Sequence, residues 1–347
     1  MRYVIIGAGS IGGALAARLA RHSPNPPVLV ARGARAAALR DRGIRLRTPD
    51  EDVTVPVAVV EAPDEAALRD DDVLVLTTKT QQADEALRTW ADAPVHDVGG
   101  TVIGTAGDLL PVSTALNGVE SERIALRYFE RVYGVCVWLP AVSLDPAEVV
   151  VSIAPTIGIL TIGAYPARPV DDDPVVAAFA ADFRASGVDV YPEADVMGWK
   201  YQKLLSNLAN GLQALLGPDG ASWRDLASAL REEALGVYAA AGVQAVSDAT
   251  EKARRGDTFR SRPVPGVEHE LGGSSWQSLV RGSGSIETDY LNGEIALLAR
   301  SAGTHAPRNA LVQHLARVAA RDHLQPGAVT PDEIRSRFAT LAAGVAA

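Results

Sequence analysis

The chain has 347 residues, 47% of them hydrophobic and 22% charged, which is enough apolar material for two domains and a generous core. Its formal charge of -9 excludes the concentrated basic surface that a nucleic-acid partner needs and leaves small anions to be held by local charge. A single cysteine, Cys136 in the apolar run "VYGVCVWLP", excludes a disulfide framework and a thiolate zinc site, and it reads as a small buried hydrophobe.

The histidines (His22, His96, His269, His305, His314, His323) are scattered without metal-ligand spacing, so no metal is expected. The opening "MRYVIIGAGSIGGALAARLA" imitates a secretory signal, but its glycine spacing and the following Arg18 and Arg21 predict a strand, a turn and a helix. A soluble cytoplasmic protein without a membrane partner is the expectation. Gly7, Gly9 and Gly12 form G-x-G-x-x-G after the strand and at the start of the helix, where the motif's mechanism requires it. Gly7 permits the tight turn, Gly9 lets a pyrophosphate approach the backbone, and Gly12 allows close helix–strand packing. The helix N-terminus favours the negative charge, and Ser10 and Ile11 belong to the same expected cofactor loop.

A second strand reads at "PVLVA". NAD sites place an acidic residue about twenty positions beyond the glycines, to accept the ribose hydroxyls. Here the position reads "VARGAR", with Arg32, Arg35 close by and no carboxylate. A guanidinium matches the 2′-phosphate of NADP, so NADPH is predicted, with Arg32 as the principal contact.

Further strands are predicted at 45–46, 57–60, 73–77, 101–104 and 124–125, separated by helical patterns such as "ADEALRTWA". This alternation predicts an α/β domain with a parallel, doubly wound sheet. The uncharged stretch 149–167 is long enough to raise a membrane helix, but Pro155, Gly158, Gly163 and its β-branched residues divide it into two strands. From about Asp195 the texture changes to Ala/Leu-rich periodic stretches, including "WRDLASALREEALGVYAAAG" and "IETDYLNGEIALLARSAG", and strand signals vanish. Two domains are therefore expected: 1–194, α/β, and 195–347, all-α, with residues 255–275 as a loop between helices. The C-terminal helices could equally supply a homodimer face or internal core.

Within "WKYQKLLSNLAN", residues 199–210, a helix would bring Lys203, Asn207 and Asn210 within about sixty degrees of one another, with Lys200 at the edge and Leu205, Leu208 and Leu212 opposite. A solvated stripe would carry lysine as readily. Two asparagines at mid-helix beside it point to a bound ligand.

Six pieces in order carry a resemblance: "GAGSIGG", "LTTKTQQ" with Lys79, "LNGVE" with Asn117, "KLLSN" with Lys203 and Asn207, "IETDYLNG" with Glu287, and "HAPRN". Nearly end to end, the chain resembles the ketopantoate reductase (2-dehydropantoate 2-reductase) family of pantothenate biosynthesis. The resemblance implies a Rossmann-type N-terminal domain and an all-α C-terminal domain of the 6-phosphogluconate-dehydrogenase-like kind. It implies NADPH-dependent reduction of a small 2-oxo acid, foremost ketopantoate to pantoate, at a site between the domains. By the same resemblance Lys203 donates the proton, with Lys200 the alternative. Glu287 holds the substrate hydroxyl or orients the lysine, Asn207 and Asn210 hold the substrate's polar groups, and Lys79 and Asn117 contact the cofactor and the substrate side of the cleft. The serine that grips the carboxylate is Ser274 or Ser275 in "GGSSWQSLVRG". The chain departs from the family pattern at Leu116, where Gln is usual, at Ser278, where aspartate is frequent, and in an Asn207–Asn210 spacing one residue short. These departures keep two alternatives open: a reductase of a different 2-oxo acid or an imine, as an opine-type dehydrogenase would be, and a non-catalytic NADPH-sensing protein.

Overall fold

A computed structural model describes residues 1–256, 259–267 and 272–345. His269, and part of the loop expected at 255–275, lie outside the described residues. Contacts divide the chain into two units. The first comprises Met1–Leu116, Glu120–Lys200 and Ser247–Val267; the second takes Asn117–Val119, Tyr201–Val246 and the described residues after Val267.

The first unit is built on an eight-stranded sheet. Its strands run, edge to edge, Asp189–Pro192, Ile159–Tyr165, Arg131–Trp138, Pro111–Thr114, Asp72–Leu76, Arg2–Ile6, Val28–Val30 and Ala58–Val60. Every pairing is parallel except that between Arg131–Trp138 and Ile159–Tyr165. The Asp72–Leu76 strand is buried at every position, as expected where helices cover both faces of a parallel sheet. On one face Ala14, Leu15 and Leu19 of the helix Ser10–His22 join Tyr3, Ile5, Phe179 and Phe183 in a single core; on the other, Val4, Ile6 and Leu74 pack with Leu87 and Trp90. Tyr3 presents its ring edge to Phe183 at 5.2 Å and donates its hydroxyl to Asp182 at 2.7 Å, so the buried phenol is satisfied. Burial, before that hydrogen bond, pushes its pKa above the usual tyrosine range.

Three strand expectations change. The 124–125 segment lies in a helix, Ser121–Ala125, because its apolar Ile124 and Ala125 pack down onto the sheet from a single turn too short to show a helical period. The expected strands at 45–46 and 101–104 form, but outside the main sheet. Ile44–Arg47 joins Asp52–Val55, Glu148–Val151 and Ala141–Val142, and Val102–Thr105 pairs with Pro94–His96 beside Leu68–Arg69. The 149–167 stretch does resolve into two strands, Glu148–Val151 and Ile159–Tyr165. Among the described residues no helix is long and apolar enough to cross a membrane. Cys136 is buried, its thiol directed at the Trp199 carbonyl at 3.5 Å.

The second unit is helical: Ala209–Leu216, Arg224–Ala241, Ser274–Val280, Asn292–Ser301, Pro307–Arg321 and Pro331–Val345. Leu226, Leu230, Ala234 and Val237 repeat at three- and four-residue intervals on the Arg224–Ala241 helix, and this stripe is buried. A buried polar chain ties three helices together. Asn292 donates to Asn309 Oδ1 at 3.0 Å, and Asn309 donates to the Leu230 carbonyl at 3.1 Å and to Glu233 at 2.8 Å.

The division between units differs from a cut at 194/195. Residues 195–200 stay with the first unit, 117–119 pass to the second, and 247–267 return to the first. The return has a local cause. On the helix Asp248–Arg255, Arg254 lies 4.3 Å from the ring centre of Tyr191 and 3.9 Å from that of Trp199, and it pairs with Glu193. Sequence texture reports the type of element, not the core that the element joins.

Candidate active site

At the C-terminal end of Arg2–Ile6 the chain turns through Gly7 at φ +114°, a conformation that L side chains rarely adopt. A Cβ on Gly12 would stand 2.0 Å from the Gly7 carbonyl oxygen and 2.4 Å from Thr77 Oγ1, so the helix Ser10–His22 can approach the strand only through a glycine. Thr77 Oγ1 donates to the Gly7 carbonyl at 2.7 Å and fixes the turn. A Cβ on Gly9 would meet nothing within 4 Å. Gly9 caps the helix without a side-chain acceptor, and no acidic residue stands in its first turn, where Ser10, Ile11 and Gly12 present their N–H groups. A loop of this shape fits a dinucleotide's pyrophosphate, for which it offers backbone donors and the positive end of a helix. Gly12→Ala is therefore expected to lower Tm and abolish dinucleotide binding, whereas Gly9→Ala should keep Tm and weaken binding about tenfold. Thermal unfolding and fluorescence titration of both variants check this pair of outcomes.

Beyond Val28–Val30 the second turn differs from expectation. Arg32 is exposed at the start of the helix Gly33–Arg42. Arg35 is engaged elsewhere: its Nη1 donates to the Ala8 carbonyl at 2.9 Å, to Ser143 Oγ at 3.0 Å and to the Pro146 carbonyl at 3.0 Å. It braces the glycine loop rather than extending the arginine cluster. A carboxylate is present after all, since Glu61 at the end of Ala58–Val60 accepts the Gly33 N–H at 3.0 Å and Arg40 Nη1 at 2.7 Å. The Gly33 N–H first, and then Arg40, hold the Glu61 carboxyl below the usual carboxylate range. Sequence reading around "VARGAR" overlooks Glu61 because the next strand supplies it, 28 positions after Gly33.

Lys79 and Asn117 both follow the C-terminal ends of parallel strands, the edge at which such sheets bind ligands. Lys79 caps the short turn Thr80–Gln82, and its backbone N–H reaches Gln82 Oε1 at 3.4 Å. Asn117 belongs to the second unit, where its Oδ1 accepts Lys203 Nζ at 2.7 Å.

The two lysines of "WKYQKLLSN" have separate fates. Lys200 is almost wholly buried and ion-paired with Glu122, which is itself fully buried. Glu122 also accepts Thr114 Oγ1 at 2.7 Å and Ser121 Oγ at 3.2 Å. Nothing in the sequence marks Glu122, for "SERIA" carries no catalytic signature. Lys203, one turn later, is only partly buried and is held by the Asn117 amide. The helix that carries them, Val196–Asn207, stops at Leu208, and a second, Ala209–Leu216, follows. The Leu208 backbone stays helical, at φ -59° and ψ -30°, so the break between Asn207 and Asn210 is one of hydrogen bonding and not of chain direction. Asn292 Nδ2 donates to the Leu208 carbonyl at 3.2 Å, and a side chain bonded into the ladder is one cause of such an interruption.

The second unit gathers the remaining residues. Asn117 and Gly118 share a loop in which a Cβ on Gly118 would stand 2.8 Å from the Tyr290 carbonyl, so that loop packs on the turn Glu287–Tyr290. Glu287 is buried there, not on an exposed helix face. Ser274–Val280 packs on Ala209–Leu216, and the Gly273 N–H donates to Gln213 Oε1 at 2.7 Å. That contact brings Ser274 and Ser275 up to the helix of Asn210. Among the described residues, Asn207 Nδ2, Ser274 Oγ and Ser275 Oγ are buried atoms without a hydrogen-bond partner. Thr288 Oγ1 and Asn292 Oδ1 are two more in the same unit, and buried polar atoms without partners are uncommon.

Two family models now decide the assignment. "Ketopantoate reductase PanE/ApbA" matches residues 3–167, and "Ketopantoate reductase PanE/ApbA C terminal" matches residues 195–320. The chain belongs to the ketopantoate reductase family. It is accordingly an oxidoreductase, and its glycine loop is that of a nicotinamide dinucleotide enzyme. Solved structures share the fold. A PanE/ApbA family ketopantoate reductase from Ralstonia eutropha JMP134 is 24% identical with a TM-score of 0.71, covering 93% of this chain and 99% of its own. A 2-dehydropantoate 2-reductase from Geobacter metallireducens GS-15 is 21% identical with a TM-score of 0.70, covering 92% and 100%. D-mandelate dehydrogenase, solved with NADH and anilino(oxo)acetate, is 18% identical with a TM-score of 0.70, covering 93% and 99%. Leu116 is a core residue, buried with Leu76, Leu110 and Val112.

Proposed function

We propose that the chain reduces a 2-oxo acid with NADPH, ketopantoate to pantoate foremost, with Lys203 as proton donor. The observation that carries this reading is the Lys203–Asn117 hydrogen bond at 2.7 Å. An amide oxygen fixes the ammonium without accepting its proton outright, whereas the carboxylate on Lys200 neutralises that lysine and commits it to the core. NADPH, when bound, supplies the hydride. Backbone donors at Gly9–Gly12 hold its pyrophosphate and Arg32 its 2′-phosphate, with Lys79 at the neighbouring strand end. As the 2-oxo carbon is reduced, negative charge gathers on its oxygen, where Lys203 stabilises the charge and gives up a proton. The Asn207 amide and the Ser274 and Ser275 hydroxyls, with unmet hydrogen bonds, hold the substrate's carboxylate and hydroxyl, and Asn210 and Glu287 complete the polar lining.

NADPH oxidation across a panel of 2-oxo acids, each with and without an amine, tests the reading. Ketopantoate is expected to give the highest kcat/KM with no dependence on amine. A rate that needs the amine would replace this reading with imine reduction, and no turnover with any acid would leave a binding protein.

A further inference from the structure

The strands Val28–Val30 and Ala58–Val60 are parallel neighbours, and the Ala31 N–H donates to the Val60 carbonyl at 3.0 Å, so their C-terminal ends emerge side by side. This juxtaposition sets Glu61 against the first turn of the helix Gly33–Arg42. One carboxylate oxygen takes the Gly33 N–H at 3.0 Å and the other takes Arg40 at 2.7 Å. Glu65 completes the arrangement by accepting the Glu61 N–H at 3.1 Å and Arg40 Nη2 at 3.5 Å. A Cβ on Gly33 would meet nothing within 4 Å, so the turn is uncrowded on that side, and Arg32 stands exposed beside it. An exposed guanidinium and a helix N-terminal N–H together make an anion seat, and the protein's own carboxylate already occupies half of it.

We infer that Glu61 is the residue that sets the choice between NADPH and NADH, an inference that rests on the cofactor seat proposed above. A 2′-phosphate brought to Arg32 must compete with the Glu61 carboxylate for the Gly33 N–H and suffers like-charge repulsion from it. A 2′-hydroxyl does neither, because it can donate to the same carboxylate. Glu61 therefore draws selectivity towards NADH, against the pull of Arg32 towards NADPH. Arg40 positions the carboxylate, whereas Glu65 bonds the Glu61 backbone N–H and Arg40 and touches neither that carboxylate nor the Gly33 N–H.

The test is fluorescence titration of NADPH and NADH against the full-length parent, Glu61→Gln and Glu65→Gln. Glu61→Gln keeps the side chain's shape, removes its charge and is half-exposed, so folding should persist, as Tm will report. The expected result is a shift of the NADPH/NADH affinity ratio by about tenfold towards NADPH in Glu61→Gln and an unchanged ratio in Glu65→Gln. An unchanged ratio in Glu61→Gln overturns the inference, and so does an equal shift in Glu65→Gln, which would reduce the effect to general surface charge. The NADPH reading itself is judged on the parent: a parent that binds NADH alone ends that reading, yet the Glu61→Gln ratio still decides this one.

Discussion

Lys203→Ala is expected to lower kcat for 2-oxo acid reduction by about 10² to 10⁴-fold, the range for loss of a positioned general acid, with the Kd for the dinucleotide unchanged. The split between these two readouts follows from where the groups lie. Lys203, with its Asn117 partner, belongs to the second unit, whereas the glycine loop and Arg32 belong to the first. Removing the ammonium deprives the developing oxyanion of both its counter-charge and its proton, and water is a poorer source of each. Lys203 is only partly buried, so truncation should leave Tm close to that of the parent. Steady-state kinetics on the best substrate, with dinucleotide titration on the same preparation, measure both quantities. Equal turnover in the variant and the parent would remove Lys203 from the mechanism.

Lys200→Met carries the largest expected loss of stability, about 3–5 kcal/mol, because it strands a buried carboxylate. Lys200 and Glu122 are both nearly inaccessible, and without the ammonium the Glu122 charge keeps only the Thr114 and Ser121 hydroxyls. The double variant Lys200→Met with Glu122→Gln should recover most of the loss, since replacing both partners of a buried pair costs much less than removing one. Urea unfolding of the three proteins reads the effect directly. A Lys200→Met protein as stable as the parent would show that the pair does not hold the helix Val196–Asn207 to the sheet.

Much of this was legible in the sequence. The spacing of Gly7, Gly9 and Gly12 encodes a steric requirement, since a Cβ on Gly12 would fall 2.0 Å from the Gly7 carbonyl oxygen, and "ADEALRTWA" gives the helix Ala83–Ala91 residue for residue. Lys203 and Asn117 belong to separate motifs, "KLLSN" and "LNGVE", and they meet in the second unit. What stayed hidden depends on groups brought together by distant chain. Glu61 reaches Gly33 because two parallel strands end side by side, and no local pattern near Arg32 announces it. Lys200 looks like a second candidate acid, and nothing near it announces its ion pair with Glu122, 78 positions away. The interruption at Leu208 has no glycine or proline to signal it; Asn292 marks it from another helix. Apolar alternation reveals strands at 45–46 and 101–104 but not the sheet that each will join, since β-pairing is chosen by tertiary contacts.

The central claim is that the Lys203 ammonium is held against the oxygen that is reduced. A crystal structure of the full-length protein with NADP and an unreactive 2-oxo acid analogue measures this most directly. The account predicts Lys203 Nζ within about 3.2 Å of the analogue's 2-oxo oxygen, with Asn117 still bonded to the lysine. A structure in which another side chain holds that oxygen, with Lys203 directed into solvent, would contradict it.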